Sequence, residues 1–137
     1  MLADTCPPSS ESTFRFLYLG NDLKLIATLR GALREPVYRV VVCSDHDSAV
    51  RFLKSEIPYD LLLLDLAWRG KEGVEVAELT HSLKHRKRMP IVLLADTELD
   101  RQAFILDKEV AATAGVQECV LKTQDVAELI KQMMPET

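Results

Sequence analysis

DLLLLDL, residues Asp60–Leu66, sets four consecutive leucines between two aspartates. Leucine alone favours helix, and periodicity does not separate helix from strand in so short a run. Pro58 before it and Gly70 after it leave too little length for a helix. What remains is a strand buried on both faces, the way strands of a parallel sheet read. It delivers Asp65 to its carboxyl end.

Toward the N-terminus, Phe14–Leu19 (FRFLYL) reads as a first strand that stops at Gly20. Asn21 caps the helix that follows, with Asp22 in its first turn. Leu23, Ile26, Leu29 (or Arg30) and Leu33 recur there at helical spacing, and Glu35-Pro36 ends the helix. Tyr38–Cys43 (YRVVVC) is a β-branched second strand. Ser44 or Asp45 caps a second helix that buries Ala49, Val50, Phe52 and Leu53. Toward the C-terminus, a third helix runs from near Gly73 to about Lys84, burying Val76, Leu79 and Leu83. Pro90–Ala95 (PIVLLA) is a fourth strand. A polar-to-helical stretch covers Thr97 to Ala114, Gly115 closes it, and Glu118–Leu121 (ECVL) is a short fifth strand. Asp125–Met133 is the last helix, with Val126, Leu129, Ile130 and Met133 on one face.

Alternating strands and helices define an α/β fold, a five-stranded, doubly wound parallel sheet with helices on both faces. Such sheets bind ligands outside the carboxyl ends of their strands. Gly20, Asn21 and Asp22 fall there after the first strand, Asp65 after the third, Ala95 and Asp96 after the fourth, and Lys122 after the fifth. A carboxylate and an ammonium thus converge on one edge of the sheet.

Composition narrows the class. At 137 residues with 47% hydrophobic and 28% charged side chains, the chain fits one soluble domain. Residues 1–13, rich in Ser, Thr and Pro, read as a flexible tail, and 14–134 as the domain. A formal net charge of −4 argues against direct nucleic-acid binding. No apolar run approaches the roughly 18 residues of a membrane helix, and the N-terminus has no positive n-region. Cys6, Cys43 and Cys119 are scattered and unpaired in pattern, which suits a reducing compartment with two of them buried. A cytoplasmic protein is expected.

Three segments resemble the receiver domain of bacterial response regulators, over about residues 14 to 134. Asp60–Val74 (DLLLLDLAWRGKEGV) is similar to its third strand and the glycine-bearing loop after it. Met89–Leu94 is similar to its fourth strand, and Gly115–Lys122 to its fifth strand and terminal lysine. The resemblance implies a flavodoxin-like sheet of strand order 2-1-3-4-5. It implies a phosphorelay module that accepts a phosphoryl group on its own aspartate and is otherwise not an enzyme. Asp65 would be the phosphoacceptor and Lys122 its charge partner. Asn21, Asp22, Asp65 and the backbone carbonyl of Ala67 would be ligands of a weakly held Mg²⁺. Partners implied are a histidine kinase or phosphotransfer protein, with an output domain or a homodimer mate.

The chain departs from that pattern. An ungapped alignment puts Gly20 and Asn21 where the family has an acidic pair, with Asp22 one residue late. Ala95 replaces the Ser/Thr whose hydroxyl bonds the phosphoryl group, and Cys119 replaces the switching aromatic of strand five. Thr123 replaces a common proline, so a trans or strained bond is expected after Lys122.

Plainer readings stand beside these. Asp65 can serve as a strand-end loop cap, Asn21 as a helix cap, and Asp22 and Asp96 as first-turn or loop carboxylates. The basic cluster Lys84–Arg88 reads as a solvated helix end. Trp68 is either a partner contact or a cover for the core edge. His81 and His85 are four apart but have no third metal ligand nearby. Two function classes accompany the phosphorylated receiver. One is a phosphorylation-independent pseudo-receiver acting as a protein-docking module. The other is a small α/β nucleotide- or flavin-binding protein, although no P-loop, GxGxxG or catalytic triad pattern is present.

Overall fold

The computed structural model describes residues 13–65, 71–106, 116, 118–123 and 125–133. Most of the N-terminal tail, Ala67, Trp68, Gly70 and the stretch from 107 to 115 lie outside the described residues. The elements run β1 (Phe14–Leu19), α1 (Leu23–Ala32), β2 (Tyr38–Cys43), α2 (His46–Lys54), β3 (Leu61–Asp65), α3 (Lys71–Ser82), a 3₁₀ turn (Lys84–Arg86), β4 (Ile91–Ala95), α4 (Glu98–Leu106), β5 (Glu118–Leu121) and α5 (Val126–Met133). All strand pairs are parallel, in the order β2-β1-β3-β4-β5. The expected sheet and strand order are therefore observed.

Alternation along the strands builds two cores, one on each face. Leu17, Leu19, Leu62, Leu64, Ile91 and Leu93 point to one side, against Ala49 and Leu53 of α2 and Val76 and Ala77 of α3. Phe14, Phe16, Tyr18, Leu61, Leu63 and Leu94 point to the other, against Leu25, Ile26 and Leu29 of α1 and Val126, Ala127 and Ile130 of α5. Every residue of β3 is buried, as expected for a strand covered on both sides. Burial of this kind contributes about 25 cal/mol per Å² of apolar surface.

Two local readings are corrected. The N-cap of α1 is Asp22, whose carboxylate accepts from the Leu25 N–H at 3.1 Å. Asn21, the expected cap, lies one residue outside. Both residue types cap well, so the sequence alone left the register of the cap open by one residue. The second correction concerns the basic cluster. α3 ends at Ser82 and the chain restarts in a 3₁₀ turn, which swings Arg86 inward until only 3% of it is exposed. Its guanidinium donates to the carbonyls of Leu53, Phe52 and Ser55 at 2.9, 3.3 and 2.9 Å, and lies 5.0 Å from the Tyr59 ring centre. Arg86 satisfies the orphan carbonyls at the C-terminal end of α2. It is a buried tie between two crossovers, while Lys84, Lys87 and Arg88 stay in solvent.

Candidate functional site

Parallel pairing brings the carboxyl ends of β1, β3, β4 and β5 to one edge. Asp65 is the last residue of β3, paired with Leu94. Lys122 follows β5 directly, and its N–H donates to the Ala95 carbonyl at 2.9 Å. That bond anchors the lysine backbone beside β4 and sends its side chain across the edge. Lys122 Nζ lies 2.6 Å from Asp65 Oδ2, 2.8 Å from Asp96 Oδ1 and 3.4 Å from Asp22 Oδ2. The structure thus brings together Asp65, Lys122 and Asp22 of the expected site. It adds Asp96, which had read as a loop carboxylate. Asn21 is not part of this cluster, and Ala67 lies outside the described residues. The peptide after Lys122 is trans, since the cis bond among the described residues joins Glu35 to Pro36.

Asp65 is buried, with 2% of its surface exposed. A buried carboxylate needs charge and hydrogen-bond partners. Besides Lys122 it has Tyr18, whose hydroxyl donates to Asp65 Oδ2 at 2.9 Å. The same phenol oxygen accepts from the Asp22 N–H at 3.3 Å. Tyr18 reaches Asp65 because Gly20 has no side chain. A Cβ on Gly20 would lie 2.5 Å from the Tyr18 hydroxyl oxygen and 2.9 Å from Asp65 Cβ. The position where an acidic pair was expected is therefore filled from the strand by an aromatic ring.

The local electrostatics follow from these contacts. Burial would lower the Lys122 pKa, but hydrogen bonds and charge from Asp65 and Asp96 outweigh it and raise it above the ordinary lysine value. Burial, then the charge of Asp65 and its hydrogen bond, push the Tyr18 phenol up. The Leu25 N–H holds the Asp22 carboxyl below its ordinary value, against burial and with help from Lys122.

The donor set fits a divalent cation poorly. Three carboxylates converge, but on the Lys122 ammonium, and Gly20 offers no side-chain oxygen where the acidic pair would stand. Among the described residues no group of three or more His, Cys, Asp or Glu side chains has metal-holding geometry. His85 accordingly makes a hydrogen bond to the Ser55 carbonyl at 2.9 Å.

Ala95 and Cys119, expected as degenerate switch positions, are both buried. They lie in the core on the α2/α3 face, and burial pushes the Cys119 thiol up. Tyr18 lies in the opposite core. Sequence reading missed Tyr18, although one signal existed. Phe14, Phe16 and Tyr18 alternate onto one face, and Gly20 comes next in that alternation with its side-chain space empty.

From Asp22 and Lys122 a cleft of about 560 Å³ opens between α1 and α5, past Lys24, Thr28 and Thr123. No helix among the described residues is long and apolar enough to cross a membrane.

Comparison with known proteins extends the geometry. No family model matches the chain. The signal transduction histidine-protein kinase BarA of Escherichia coli and of Shigella flexneri is 30% identical over 121 residues, which are 85% of this chain and 12% of BarA. The chain thus spans about an eighth of the length of these curated relatives. Among solved structures, a LuxR-family two-component response regulator from Aurantimonas is 26% identical, with a TM-score of 0.66 over 88% of this chain and 81% of that one. The receiver domain of a sensor histidine kinase from Pseudomonas aeruginosa, with a magnesium ion in its active site cleft, is 23% identical. Its TM-score is 0.68 over 88% of this chain and 94% of that one, a likeness of fold.

Proposed function

We propose, on the premise that this chain is a receiver domain of two-component signalling, that residues 14–134 act in a phosphorelay with Asp65 as the phosphoacceptor. The observation that carries this reading is the contact of 2.6 Å between Lys122 Nζ and Asp65 Oδ2 at the carboxyl edge of the sheet. An Asp65 carboxylate oxygen attacks the phosphorus of a donor, forming an acyl phosphate as the donor's leaving group departs. Charge spreads over the equatorial oxygens of the phosphoryl group in flight, and the Lys122 ammonium meets it. The chain accepts the group on its own side chain and turns over no other substrate. No step is assigned to Mg²⁺, because the carboxylates face Lys122. A histidine kinase or phosphotransfer protein is the proposed donor, in the cytoplasm, with an output domain or a second copy downstream.

One observation favours a second reading. Tyr18 and Lys122 both contact Asp65 Oδ2, and Asp65 is 2% exposed, which suits a pseudo-receiver that docks partners without accepting phosphate. Incubation with acetyl phosphate or phosphoramidate, with and without Mg²⁺, separates the two by intact mass. A gain of one phosphoryl group that is absent in Asp65→Asn supports the first reading. No gain at high donor concentration supports the second.

A further inference from the structure

The apparatus expected to report the state of Asp65 is missing from one face of the sheet. Ala95 has no hydroxyl, and Cys119 has no ring to move. Both are packed into the α2/α3 core. On the opposite face stands a side chain with both a ring and a hydroxyl. Tyr18 touches Asp65 directly, is fully buried, and belongs to the core formed with α1 and α5. Its oxygen is also the acceptor for the Asp22 N–H. Asp22 is the N-cap of α1, so one phenol joins the carboxylate of β3 to the first turn of a helix. The next residue, Leu23, is 78% exposed.

The geometry points to Tyr18 as the positioning residue that reports the state of Asp65, and to the N-terminus of α1 as the place where the report arrives. This rests on Asp65 being the group that changes state, as proposed above. Tyr18 donates to a carboxylate oxygen. When that oxygen is esterified or its charge removed, the strongest acceptor of the phenol is lost or displaced. The hydroxyl then turns, and the bond from the Asp22 N–H turns with it. Gly20 is the space that makes the contact possible, since a Cβ there would sit on the phenol. Lys122 also touches both Asp65 and Asp22, so the test must separate the two routes.

Backbone amide NMR on the intact chain does so. Asp65→Asn changes the charge of the site without needing a phosphoryl donor. Its effect on the Asp22 and Leu25 amides is compared in the wild-type and Tyr18→Phe backgrounds. The expected result is a displacement of both amides in the wild-type background that is lost when the phenol hydroxyl is removed by Tyr18→Phe. A displacement that survives in Tyr18→Phe means the coupling runs through Lys122 and overturns the assignment. A response confined to Cys119 and Val120 overturns it as well. Fluorine NMR of fluorotyrosine-labelled chain provides a readout with no variant at residue 18. The Tyr18 resonance must move with Asp65→Asn, and a stationary one counts against the proposal. Intact mass after acetyl phosphate treatment tests the acceptor role of Asp65 separately. A chain that takes no phosphate but couples as described refutes that role and leaves the Tyr18 link standing.

Discussion

Tyr18 and Gly20 act as one unit, and each limits what the other can be. Gly20→Ala drives a methyl group into a buried phenol and should cost about 1–3 kcal/mol, as overpacked cores do. In a Tyr18→Val background the clash with the phenol is gone and the 2.9 Å approach to Asp65 Cβ remains, so the same step should cost less, and urea denaturation of the four proteins measures the difference. The alkaline limb of stability provides a second check. The folded Tyr18 and Lys122 both have raised pKa values. A raised group contributes stability that is complete below its unfolded value, about 10 for each, and that is lost as pH rises through the folded value. Stability should therefore fall above about pH 10, and Tyr18→Phe should flatten that fall while lowering the plateau. Tyrosinate absorbance should show Tyr18 ionising only as the chain unfolds. Lys122→Met leaves Asp65 buried without its cation and should cost about 3–5 kcal/mol.

At the scale of elements, the buried tie from Arg86 to the end of α2 makes the sharpest prediction. Arg86→Ala removes the donor to the Leu53 carbonyl and the packing on Tyr59, while Phe52 and Ser55 keep donors in Ser55 and His85, and should cost about 1–3 kcal/mol in urea denaturation. Arg86→Lys should recover only part of this, because a point ammonium cannot span three carbonyls as a planar fork does. The strands themselves were legible. Phe14–Leu19, Tyr38–Cys43 and Glu118–Leu121 have their expected limits, β3 and β4 each start one residue later than expected, and Leu66, the expected end of β3, lies outside the described residues. Apolar runs bounded by Pro, Gly and Asp carry that information locally. Arg86 was not legible, since a basic run looks solvated unless the carbonyls it must reach are known. The cap of α1 was ambiguous between neighbouring residues of equal aptitude. Asp65 and Lys122 could be placed at the carboxyl edge because one ends β3 and the other follows β5. Tyr18 could not, because its contact depends on the pairing of β1 with β3, where it stands opposite Leu63 two residues before Asp65.

Across the whole molecule, β3 is the central strand of the sheet, and among the described strands its pairing with β1 is the one that joins strands not consecutive in the chain. In the order β2-β1-β3-β4-β5, β3 pairs with β1 on the side opposite β2. Until that happens Leu61–Leu64 is a bare apolar segment, and Ile91–Ala95 is another. Each has the composition that stacks into intermolecular β-structure. Asp60 and Asp65 bracket the first of them, and in the finished sheet Asp60 is held by the Arg15 N–H at 2.9 Å. The two aspartates thus guard the nascent chain as well as serving the folded one. Charges at the ends of such a run keep unfolded copies apart. Asp65→Asn should therefore scatter more light on dilution from urea than Asp65→Glu does, at equal concentration, and Asp60→Asn with Asp65→Asn more still. Asp65, at the carboxyl edge of the folded sheet, is thus also expected to help keep the unfolded chain soluble.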